Sequence, residues 1–156
     1  MDFRIRGLLP DTFRPLFALS DAALAGRGIQ RAVADDSTPG YPCRVSLAHA
    51  EPGEELLLLS HEHQPAQSPY RAAGPILIRR NATAAFDAVN LVPDPVRVRL
   101  LSLRAYDAGD LIVDAEVVEG RDLEPLLTKW LAREEVSYLH IHYARHGCFA
   151  CRVDKA

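Results

Sequence analysis

Eleven prolines and nine glycines are scattered along the 156 residues of this chain, and they cut it into short apolar pieces. Proline fixes φ and removes a backbone donor, so it interrupts helices and central strands alike. The connections between apolar pieces are mostly too short for the crossover helices that parallel strands need. We therefore expect an α+β fold: a mainly antiparallel β-sheet with two or three helices packed on it, in a single compact domain over residues 1–156. A chain of this size hides roughly 68–70% of the surface its unfolded form exposes, so a core alone holds it together.

Phe3 to Leu8 alternates apolar and polar residues and reads as a first strand. Asp11 to Gly28 is helical in part, with Ser20-Asp21 as N-cap to Ala22–Ala25 and Gly26 and Gly28 ending it. Ile29 to Ala34 is a short strand and Asp36 to Gly40 a turn. Leu56 to Leu59 suits a strand buried on both faces. A proline-containing loop follows from Gln64 to Gly74, then a strand from Pro75 to Arg79. Val96 to Tyr106 and Leu111 to Val118 form a hairpin about the turn Asp107 to Asp110. Asp122 caps a helix whose Leu123, Leu126, Leu127, Trp130 and Leu131 share one stripe. Val136 to Tyr143 and Phe149 to Val153 are the last strands.

The net charge of −3 carries no cationic excess of the kind that displaces counterions from nucleic acid, so nucleic acid is not an expected partner. No apolar run reaches the roughly 18 residues of a membrane span. The start, Met1 to Arg6, alternates charge with apolar residues, unlike an export signal, which places the protein in the cytoplasm. Three cysteines cannot form a closed disulfide framework. In a reducing compartment they are buried thiols, metal ligands or reactive thiols.

Chemistry concentrates near the end of the chain, in Tyr138 to Cys151. In a strand, His140 and His142 share one face, about 7 Å apart, while Leu139, Ile141 and Tyr143 share the other. With Cys148 and Cys151 close behind, the two imidazoles make a possible zinc site, since imidazole and thiolate both suit that ion. Co-ligation requires a turn between the cysteines, where the sequence looks extended; the plainer reading is two small buried thiols. His61 and His63 could meet His140 and His142 across a sheet, but we read them as a solvated strand end. Cys43, between a proline and Arg44, is the best candidate for a reactive thiol, because a neighbouring cation lowers a thiol pKa. Tyr70 and Arg71 sit on a proline-stiffened loop, and a guanidinium fork suits carboxylate or phosphate. Arg44 and Arg71 as plain surface ion-pair partners is an equally open reading.

Four blocks carry a resemblance: Gly40 to Leu47, Ser68 to Arg71 with Gly74-Pro75, Arg104 to Asp107, and Gly147 to Arg152. In order and spacing they resemble a bacterial family described as domain of unknown function 1203, over nearly the whole chain. That family brings no activity, so the resemblance implies only that these blocks recur together.

Two functions remain open. One is a small-molecule-binding protein or enzyme with a polar pocket for a small anionic molecule. There Arg44, Tyr70 and Arg71 hold the ligand, and Cys43, His140 and His142 supply nucleophile, acid or base. The other is a noncatalytic interaction domain with buried thiols and histidines. The oligomeric state is left open.

Overall fold

The computed structural model describes residues 1–156. Nine strands form two antiparallel sheets. The larger contains β1 (Phe3–Arg6), β5 (Asp87–Val89), β6 (Leu100–Tyr106), β7 (Ile112–Glu119), β8 (Tyr138–Tyr143) and β9 (Phe149–Lys155). Their order is β5-β1-β9-β8-β6-β7. The smaller contains β2 (Gln30–Val33), β3 (Glu55–Gln64) and β4 (Ala72–Arg79), in that order. Three short helices complete the chain: α1 (Asp21–Ala25), α2 (Asp94–Arg97) and α3 (Leu123–Leu131). None is long and apolar enough to cross a membrane.

Strand alternation divides the large sheet into a dry face and a polar one. On the dry face Leu101, Leu103 and Ala105 of β6 stand opposite Tyr143, Ile141 and Leu139 of β8. Ile141 and Leu139 in turn oppose Cys151 and Val153 of β9. This face packs against Leu123, Leu127, Trp130 and Leu131 of α3 to form the main core. A second core lies on the small sheet, where Leu57, Leu59, Ile76 and Ile78 meet Phe13, Phe17, Leu24 and Ile29 from the N-terminal segment. The α+β fold, the hairpin and the amphipathic helix are thus as expected, and Ser20 caps α1 by accepting from the Ala23 amide.

Four details differ. The hairpin begins at Leu100, because Pro93 and Pro95 set the φ of a helical turn at α2. Strand β5 is an additional edge on β1. Asp122 makes no capping bond, since it closes a 3-10 turn that runs directly into α3. Leu58 is exposed although Leu56, Leu57 and Leu59 are buried, so β3 is covered on both faces only in part.

Candidate functional site

The polar face of the large sheet carries Arg4 and Arg6 on β1, Arg152 on β9, Tyr138, His140 and His142 on β8, and Ser102 and Arg104 on β6. Strand β3 extends past the small sheet onto this face. It reaches because its pairing with β4 slips between His61 and Gln64. A bulge places an extra residue in one strand and turns consecutive side chains out of strict alternation. Here both His63 and Gln64 meet the large sheet. Gln64 donates to the Tyr138 hydroxyl at 2.9 Å, and Tyr138 donates to Asp110 at 2.7 Å. His63 packs among the rings of His142, His140 and Phe149, at centroid distances of 4.9, 6.2 and 5.1 Å. The expectation of a solvated strand end at His63 is therefore corrected.

Between the end of β3 and strands β8 and β9 lies a cleft of about 300 Å³. Its polar lining comes from His61, His63 and Gln64 on β3, Tyr138 and His140 on β8, Arg152 on β9, and Asp110 in the hairpin turn. His140 and His142 are almost wholly buried. His142 donates from Nδ1 to the Gly147 carbonyl at 3.0 Å. Gly147 holds φ at 75°, a region that glycine occupies without strain, and so aims that carbonyl back at the strand. The donation leaves His142 Nε2 as a bare lone pair. That atom, His140 Nδ1 and His63 Nδ1 are all buried without a hydrogen-bond partner.

Burial pushes His140 down to about 3, with His142, His63, Arg152 and Arg104 adding to the shift. Burial likewise lowers His142 to about 4, against the Gly147 bond that favours its charged form. His63 is lowered by burial and by Arg104. The cluster is neutral at pH 7 and sits in the field of nearby guanidiniums. Arg152 is paired with Asp154 at 2.8 Å and lies over the Tyr138 ring. Arg4 and Arg6 share Asp87. Arg104, half-buried and directly opposite His140, has no carboxylate and no hydrogen-bond partner.

The residues expected from sequence to form one site are separated. Cys43 is fully buried in the small-sheet core, where its sulfur accepts from the Val45 and Arg79 amides, so it is closed to a substrate. Arg44 is buried too and donates to the carbonyls of Phe149 and Pro42, stapling its loop to β9. Tyr70 and Arg71 are exposed, and Arg71 pairs with Glu62 at 3.0 Å. Only His140 and His142 remain at the polar face.

The zinc set His140, His142, Cys148 and Cys151 is also corrected. Cys151 lies beside Ile141 on the dry face, opposite to the histidines, and burial lifts its thiol to about 12. Cys148 sits in the turn before β9. No group of three or more His, Cys, Asp or Glu is placed to hold a metal ion, and the unpaired charge of Arg104 opposes a cation among the imidazoles. Sequence reasoning missed Arg104, Arg152, Asp110 and Tyr138. The signal available was strand parity: residues 104, 140 and 152 fall on one face once the register of β6, β8 and β9 is known.

A model of the family described as Protein of unknown function (DUF1203) matches residues 40–155, which include every one of the polar cleft residues named above. No curated protein and no solved structure matches the chain.

Proposed function

We propose that this chain, which belongs to the DUF1203 family, binds a small anionic molecule in the cleft between β3 and the polar face of β8 and β9. The observation that carries this reading is the imidazole cluster: His63, His140 and His142 each bury one ring nitrogen without a partner, and Arg104, a half-buried guanidinium without a carboxylate, stands opposite His140 on the neighbouring strand. Leaving a buried polar group unsatisfied costs about 1–3 kcal/mol, so a bound group that meets several of them at once recovers a substantial free energy. An anion suits the site because Arg104 and Arg152 both act on His140. His63 and His140 line the cleft and would donate to the anion, with Arg152 at the rim.

Arg44 and Cys43 take structural roles in this reading, and His140 and His142 supply polar contacts and proton exchange. The three free thiols suit a reducing cytoplasm.

A thermal-shift screen of carboxylates and phosphates tests the reading. Wild type and Arg71→Ala should both be stabilised by the same compounds, and Arg104→Gln should lose most of that shift. A shift retained in Arg104→Gln and lost in Arg71→Ala would move the site to the exposed loop and refute the assignment.

A further inference from the structure

Each neutral imidazole has one N–H and one lone pair, so three imidazoles present three donors and three acceptors. In this cluster His142 Nδ1 is used on Gly147 and the His61 backbone acts on His63, while one buried nitrogen of each ring has no partner. His142 Nε2 is fixed by that bond as an acceptor, and it lies in the ring that His63 contacts at 4.9 Å. The groups that face the cluster from the surrounding elements are Arg104 from β6, Arg152 from β9, Arg44 from the loop before β3, and His61 from β3 itself. The carboxylate at the cleft, Asp110, is engaged by the Tyr138 hydroxyl. No carboxylate makes a hydrogen bond to any of the three imidazoles. The cluster offers cationic surroundings together with unused lone pairs. An anion that lacks hydrogens satisfies the first and is repelled by the second.

Resting on the anion-binding reading above, we infer that the cleft selects a protic oxyanion. Such a ligand carries a hydroxyl beside its charged oxygens, as hydrogen phosphate, bicarbonate or a hydroxy acid does. Its oxygens answer Arg152 and the imidazole N–H groups at the cleft, within the field of Arg104, and its hydroxyl answers a ring lone pair. An aprotic oxyanion of the same size and charge fits only after an imidazole takes a proton from solvent, which becomes easier as pH falls. The cleft thus distinguishes two tetrahedral dianions, hydrogen phosphate and sulfate, of which only the first carries a hydroxyl.

Phosphate and sulfate are the probes, measured by titration calorimetry on the full chain at matched ionic strength. At pH 7.5 phosphate should bind at least ten-fold tighter than sulfate, and the ratio should shrink at pH 6.0, with proton uptake on sulfate binding seen by repeating the titration in a buffer of different ionisation enthalpy. His63→Phe keeps a ring against Phe149 but removes a lone pair and a donor, and should bring the two affinities together. Equal affinities in wild type at pH 7.5, or a ratio unchanged in His63→Phe, would overturn the selectivity while leaving anion binding intact. Failure of both ions to bind at 100 mM would overturn the anion reading itself, and this inference with it.

Discussion

The ring of His63 lies nearly parallel to that of Phe149, with 5.1 Å between centroids and 10° between planes. This pair joins the small sheet to the large one. Phe149 opens β9 and pairs with His142, and its carbonyl receives the Arg44 guanidinium. The histidine cluster is thus held from one side by a bulge in β3 and from the other by a buried arginine.

Arg44 should behave as a structural residue. Arg44→Met leaves the carbonyls of Phe149 and Pro42 without their donors and removes a cation lying over the Tyr143 ring. We expect a loss of about 1.5–3 kcal/mol in urea unfolding, the range for hydrogen bonds from a charged donor. Arg44→Lys should recover little, because one ammonium does not reproduce the planar fork. An unchanged midpoint in Arg44→Met would place this side chain outside the framework.

Stability should fall on mild acidification. His140 and His142 are held at about 3 and 4 in the folded chain, against about 6.5 when unfolded. Both folded values are depressed, so between those limits the unfolded chain binds more protons. Stability is then complete above pH 6.5 and declines as pH falls. The slope is on the order of 1.4 kcal/mol per pH unit for each histidine. Urea unfolding at pH 7.5, 6.0 and 5.0 should show this loss, and His140→Gln/His142→Gln should flatten it. A wild-type profile already flat from pH 7.5 to 5.0 would mean that the rings are not buried neutral.

Trp130 is 5% exposed within the main core. Trp130→Ala should cost about 3–5 kcal/mol, the usual range for emptying a buried aromatic site. A loss below about 1 kcal/mol in urea unfolding would put the ring at the surface.

The elements legible in the sequence were those that rest on local periodicity. The α3 stripe, the β6–β7 hairpin and the alternation of β8 need no knowledge of distant partners. The cleft was harder to read because it depends on register. The bulge that turns His63 and Gln64 together toward β8 leaves no composition signal at residues 61–64. Cys43 looked reactive because of its neighbours in sequence, and Arg44 looked free to hold an anion, whereas their partners in space are the backbone groups of residues 42, 45, 79 and 149. Cys148-Phe149-Ala150-Cys151 could chelate only through a turn; Phe149–Lys155 is a strand, and Cys151 faces the α3 side beside Ile141.

Thiol accessibility gives a simple check on that placement. Cys43 and Cys151 are buried and Cys148 is partly exposed. A chromogenic disulfide reagent should titrate one thiol quickly in the native chain and three in denaturant. Two or more fast thiols in the native chain would contradict the packing of β4 and β9 around the other two.

An anion that enters among His63, His140 and Arg152 should be visible ring by ring in histidine NMR. Long-range proton–nitrogen spectra of the chain, titrated with phosphate at pH 7, report each ring separately. Saturable shifts are expected in the nitrogens of His63 and His140, with His49 and His146, which lie away from the cleft, unmoved. Spectra in which the His63 and His140 nitrogens stay fixed up to 100 mM phosphate, or in which all six histidines drift alike, would contradict that entry.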